Sequence, residues 1–363
     1  MQEHRQLNTN LTKYFIALSL IQMPLLLKSK LLTLVDFDPS KLWGAWTGEL
    51  EQFIPLKERI INFNDWDRVQ KIIDTSSKKN TSIVLPNSPE YPKPLIYVED
   101  FPVVLFCKGD LSLLNVTSLS VVGTRSISPY GVAAVSRFIP KLVEADFCIV
   151  SGMARGIDSE AHKVTLRVRG RTVAVLGAGV EEASPRGNAR LYDEILKKEG
   201  LIVSEFPPDA CCYKQNFPQR NRIIAGLSCG TLVIEAGAKS GSLITADLAG
   251  GYARDVFAVP GPITSTLSEG VNSLLKNGAI IASVPEDILD HYSLLIKNDL
   301  KKAKKDLPSE QKDLLRTIPP QGASLNDLLS ESGIAMTQLL KNLDELERSG
   351  YINRDGLGIY YLN

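Results

Sequence analysis

The sequence predicts an α/β protein. Its centre is a Rossmann-like doubly wound, mostly parallel sheet, with a small helical domain before it and a winged helix after it. Three observations support this. Seven short apolar, β-rich runs, at 119–122, 147–151, 172–176, 201–204, 231–234, 256–259 and 279–282, alternate with helical stretches. That alternation is the pattern of parallel strands covered on both faces. Ahead of them apolar residues recur at helical spacing, and behind them three helical segments lead into a terminal hairpin pattern.

Residues 1–80 read as helices at 11–21, 28–35, 41–53 and 65–74, with Trp43, Trp46 and Trp66 anchoring a small core. The first residues do not read as a signal peptide, since Gln22, Pro24 and Lys28 interrupt the apolar stretch. Residues 78–81 form a plausible linker. A Pro-rich extended segment then carries one short strand near 103–107 and opens the sheet domain, 81–295. A lysine-rich stretch, 296–308, reads as a solvated linker to the last module, 309–363. Its helices fall at 309–317, 324–332 and 335–349, and the hairpin turns at Asp355-Gly356. The would-be recognition helix sets Asp344, Glu345 and Glu347 against Lys341 and Arg348, so protein contact is at least as good a reading as groove binding.

In 363 residues, Lys+Arg and Asp+Glu both number 41, so any nucleic-acid function must come from a local patch. The five cysteines show no zinc spacing and fit a reducing cytoplasm, and the adjacent Cys211-Cys212 has no evident chemistry. No run reaches the roughly 20 apolar residues of a membrane helix.

Four loops fall at the carboxyl rim of the strands, where such sheets bind ligands. In the first, Gly123, Thr124, Arg125 and Ser126 precede a helix whose free N–H groups would favour a phosphate; an ordinary strand-to-helix turn with an exposed Arg is the alternative. The second, Ser151 to Asp158, exposes amides at Gly152, Ala154 and Gly156, with Asp158 capping the next helix. His162, one turn on, reads as a packing histidine rather than a base. In the third, Arg220, Asn221 and Arg222 open a helix after Phe217. Arginines there oppose the helix dipole unless an anion or an internal acid such as Glu235 pairs with them. The fourth, Lys239-Ser240-Gly241-Ser242, falls short of a Walker loop, and Ser242 can cap the helix that follows.

The motifs V-V-G-T-R-x-x-S-x-Y-G, S-G-x-A-x-G-I-D-x-x-A-H, F-P-x-R-N-R-I-I-A-G-L-S, E-A-x-x-K-S-G-S-L-I-T-A and V-F-A-V-P-G, in this order over roughly residues 83–290, resemble the DNA-processing protein A (DprA, also called Smf) family. The resemblance implies a non-enzymatic, cytoplasmic homodimer without cofactor. It would bind incoming single-stranded DNA and load the RecA recombinase in natural transformation. Arg125 and Lys239 fall on the family's DNA-binding positions, with Arg220, Arg222 and the amides of Gly123, Gly152 and Gly156 lining the same pocket. Thr124, Ser126, Ala154, Asn221, Ser240, Gly241 and Ser242 complete the expected site. Phe217 or Phe206 would stack on a base. Two departures stand out: residues 21–27 lack the glycine of a helix-hairpin-helix, and Ala183-Ser184-Pro185 replaces a Tyr-Pro. The runner-up function is a nucleotide-hydrolysing, phosphoribohydrolase-like enzyme. The P-G-G-x-G-T loop of such enzymes is missing, and Gly230-Thr231 with Glu235 is its nearest echo.

Overall fold

A computed structural model describes residues 2–293, 308–319, 322–348, 351–354 and 358–362. The lysines of the 296–308 linker and the Asp355-Gly356 turn lie outside these residues. The chain divides into two compact units, Met1–Ile288 and Leu289–Asn363.

The first unit is built on nine strands: β1 (Ser82–Val84), β2 (Leu105–Gly109), β3 (Ser118–Gly123), β4 (Cys148–Ser151), β5 (Thr172–Val175), β6 (Leu201–Ser204), β7 (Gly230–Ile234), β8 (Asp255–Ala258) and β9 (Ile280–Ile281). They are ordered β1-β2-β6-β5-β4-β3-β7-β8-β9. All seven apolar runs are strands, and they pair in parallel from β6 through β9. β2 joins β6 antiparallel and β1 joins β2, an edge that the Pro-rich sequence only half reveals. β3 to β7 are nearly all buried, which is why they read as continuous apolar runs rather than alternating ones.

The order of connections creates the functional geometry. From β3 the chain winds one way through β4, β5 and β6, under the mutually packed helices Pro129–Glu144, Ile157–Arg167 and Ala189–Lys197. The helix Asn216–Leu227 then carries it back across β5, β4 and β3 to β7, and packs with Gly241–Gly251 in a second layer. β3 and β7 are therefore neighbours whose following helices belong to different layers. A crevice opens between such strands at their carboxyl ends.

The N-terminal helices Gln2–Leu20, Leu25–Leu34, Ile54–Ile61 and Trp66–Lys78 share one hydrophobic core with the sheet. Residues 41–53, expected as one helix, form two 3₁₀ segments, Pro39–Trp43 and Gly48–Phe53, separated by a break at Gly44. Trp43 and Trp66 stack with Tyr14 and Phe63, while Trp46 is buried and donates to the Leu42 carbonyl at 2.8 Å. No described helix is long and apolar enough to cross a membrane.

The second unit has helices Ser309–Thr317, Leu325–Ser332 and Met336–Arg348, with short antiparallel strands β10 (Ala323–Ser324), β11 (Ile352–Arg354) and β12 (Ile359–Leu362). Their core joins Leu314, Leu328, Leu339, Leu343, Ile352 and Tyr360. This is a winged helix.

Gly123 closes β3 where the crevice begins, and a Cβ there would strike the Ile234 carbonyl oxygen of β7 and the Ile157 side chain. A backbone carbonyl cannot yield as a flexible side chain would. Gly123→Ala is expected to destabilise the protein by about 1–3 kcal/mol, read as a lower urea midpoint with unchanged m-value.

Candidate nucleic-acid interface

A cleft of about 680 Å³ lies between the ends of β3 and β7. Of the expected residues, Gly123, Thr124, Arg125, Ser126, Ala154, Phe217, Arg220, Asn221, Lys239, Ser240, Gly241 and Ser242 line it. Three do not: Gly152, Gly156 and Arg222. Lys214 and Leu267 also line it and carried no motif that would have marked them. So does Ile244, which falls within the L-I-T-A end of the fourth motif but is not among the expected residues.

Arg125 is exposed, and its guanidinium lies 5.2 Å from the centre of the Phe217 ring. Phe217 is in turn seated against Gly177, where a Cβ would come within 3.2 Å of the ring. Phe206 instead lines a separate small cavity with Lys28 and Arg222, so Phe217 is the aromatic of the cleft. Lys239 and Lys214 are exposed. Asn221 Nδ2 donates to the Gly241 carbonyl at 3.3 Å, tying the helix Asn216–Leu227 to the loop after β7. Gly241 is exposed, with open space where a Cβ would stand, so its backbone is accessible. Ser240, rather than Ser242, caps the helix Gly241–Gly251.

The helix start after β3 departs from expectation. Its N–H groups are not free. Ser128 Oγ accepts from Tyr130 and Gly131 N–H at 3.1 and 3.2 Å, and Ser128 N–H donates to Glu235 at 3.0 Å. An anion here must be held by the exposed cations and neighbouring turns instead of this helix terminus. Glu235 is thereby engaged with Ser128 and is not the acid that pairs with an arginine.

The two arginines of R-N-R are buried and bonded within the protein. Arg220 is 3% exposed and donates to the carbonyls of Gly152 and Val175, beneath the cleft. A Cβ on Gly152 would collide with its guanidinium, so this glycine makes room for Arg220 rather than offering an amide. Burial lowers the Arg220 pKa to about 10, against the pull of Asp158, and it stays charged at neutral pH. Gly156, at φ +84°, leaves no space for a Cβ beside the Thr124 carbonyl and Arg125, so it joins the first and second loops. Arg222 is 2% exposed, bonded to Glu205 and to the Asp100 carbonyl at 2.6 Å. Burial raises the Glu205 pKa and Arg222 opposes that shift. Carbonyls and acids of the protein itself offset the helix-dipole cost of these arginines.

Asp158 lies in the first turn of Ile157–Arg167 and accepts from Gly152 N–H at 3.2 Å, while Gly156 occupies the cap position. Burial pushes its pKa up to about 6, outweighing Arg220. His162 is fully buried. Thr172 Oγ1 donates to the Ile149 carbonyl at 2.7 Å, so it accepts from His162 Nδ1–H, also at 2.7 Å. This is a packing histidine, whose pKa burial lowers to about 3. Among the described residues no cluster of His, Cys, Asp and Glu could hold a metal ion.

The sequence profile described as DNA recombination-mediator protein A matches residues 82–293. The chain belongs to this family. It is 39% identical over 281 residues to Protein Smf of Escherichia coli, covering 75% of each chain. The crystal structure of DNA processing protein A from Streptococcus pneumoniae superposes with a TM-score of 0.65 at 35% identity, over 77% of this chain and 97% of that one. DNA processing protein A from Helicobacter pylori, which has a unique single-stranded DNA binding mode, gives 0.53 at 28% identity, over 60% and 96%.

Two outcomes test the structural assignments. Arg222→Ala leaves Glu205 buried without its partner and is expected to cost about 3–5 kcal/mol in urea unfolding. His162 has its folded pKa depressed from 6.5 to about 3. Its neutral burial therefore supports the fold above pH 6.5, and that support is lost as pH falls toward 3. The loss is at most about 1.4 kcal/mol per pH unit and should flatten in His162→Gln.

Proposed function

We propose that this chain is a sequence-independent single-stranded DNA-binding protein that protects incoming DNA and helps load RecA in transformation and recombination, without catalysing a reaction. The observation that carries the reading is the cleft at the β3–β7 switch point, where exposed Arg125 lies over the Phe217 ring and exposed Lys239 lines the same opening. In a chain of zero net charge, this gathers cations where backbone is also accessible. Arg125, Lys239 and Lys214 are suited to phosphates, and Phe217 offers a face on which any base can stack, so sequence matters little. Membership of the family, and the single-stranded DNA binding of its Helicobacter pylori relative, support the same reading.

The enzymatic alternative is disfavoured by Glu235, the acid of its nearest sequence echo, which is 4% exposed and bonded to Ser128. In this reading residues 1–80 form a packing or interaction domain, 81–295 bind DNA, 296–308 link, and 309–363 form the winged helix. The recognition helix exposes Asp344, Glu345 and Glu347 beside Lys341, which suits it to protein contact better than to phosphates. The protein acts in the cytoplasm as a homodimer, which would set two clefts on one strand and raise affinity by avidity.

Fluorescence anisotropy of labelled oligo-dT and a matching duplex tests this. Wild type is expected to prefer the single strand. Arg125→Ala and Lys239→Ala should each weaken it about tenfold and lower the salt slope by about 0.7 while leaving the melting temperature unchanged. Equal affinity for duplex, or unchanged affinity in both variants, would overturn the assignment.

A further inference from the structure

We propose that Glu235 is the positioning residue of the site: it holds Arg125 in the cleft by tying down both ends of the turn that carries it. The inference rests on the reading of the cleft as a single-stranded DNA site.

Glu235 follows β7 and is 4% exposed, with φ at +50°, a backbone conformation that residues other than glycine rarely keep without compensation. Here both of its acceptor groups bond to the turn after β3. The backbone carbonyl accepts from Thr124 N–H at 2.7 Å. The carboxylate accepts from Ser128 N–H at 3.0 Å and from Ser128 Oγ. Thr124 and Ser128 bracket Arg125, so the cation sits on a span fixed at either end. Gly131 completes the arrangement, because a Cβ there would fall on Glu235 Oε2.

Lys239 is held separately. Its turn is closed by Ser240 N–H donating to the Gly237 carbonyl at 3.0 Å and by the Ser240–Ser242 hydroxyl pair at 2.8 Å. None of these bonds passes through the Glu235 carboxylate. Truncating that side chain therefore releases the Ser128 end of the Arg125 turn and leaves the Lys239 turn intact. A carboxylate beside a phosphate site would ordinarily repel the ligand, but both of its oxygens are engaged by Ser128 and neither residue lines the cleft.

The test is a pair of double-mutant cycles in the full chain, read as oligo-dT affinity by anisotropy. Glu235→Ala is expected to weaken binding about fivefold, and Glu235→Gln, which keeps an acceptor for Ser128 N–H, to restore most of it. The loss should vanish in the Arg125→Ala background and persist in full in the Lys239→Ala background. The same loss in both backgrounds, or none in wild type, overturns the positioning role. Unchanged affinity in both Arg125→Ala and Lys239→Ala instead overturns the cleft as the DNA site. Should Glu235→Ala fail to fold, Ser128→Ala enters the same two cycles with the same expected outcomes.

Discussion

β3 and β7 lie side by side, yet the helices that follow them pack in different layers, and everything at the site depends on that divergence. The two strands run in register from Leu119 against Gly230 to Gly123 against Ile234. Past that point no helix can fill the space between them, and turns from both strands face a common opening. Because hydrogen bonds fix the strand spacing, the turns inherit a rigid footing. Gly123 is the closest point of this junction, its missing side chain allowing the Ile234 carbonyl and Ile157 to approach.

Around the opening, charge is divided into two kinds. Arg220 and Arg222 face inward, satisfied by carbonyls and by Glu205, and hold the returning helix Asn216–Leu227 against the sheet and the Pro-rich segment. Arg125, Lys214 and Lys239 stay in water, where a strongly hydrated or planar cation can exchange solvent for phosphate. A buried ion pair contributes geometry more than stability, because desolvation offsets most of its attraction. That suits a helix whose task is to carry Phe217 and Asn221 to the rim. The buried acids follow the same division: Glu235 and Asp158 each accept hydrogen bonds from backbone N–H groups of neighbouring turns.

Much of the fold was legible in residues. The seven apolar runs between 119 and 282 could be buried parallel strands because helices separate them, and the distinctive turns fell at their carboxyl ends. Twelve of fifteen expected site residues meet in one cleft, which follows from the topology once the strands are placed. What the residues alone left open was the partner of each polar side chain. For R-N-R, arginines at a helix start called for an anion or an internal acid. Which internal groups compensate them (Glu205, Asp100 and the carbonyls of Gly152 and Val175) is set by other elements of the fold. The N–H groups after β3 looked available because Glu235, which occupies Ser128, is 107 residues on.

The sequence by itself determined the layers, the strand order's alternation and the cationic turns at the rim, since periodicity and turn chemistry are local properties. Only the tertiary structure decided which cations face water, which aromatic lies beneath Arg125, and what caps the helix after β3. Those outcomes depend on side chains from separate strands competing for the same few ångströms, and nothing in the local chain encodes who their neighbours are.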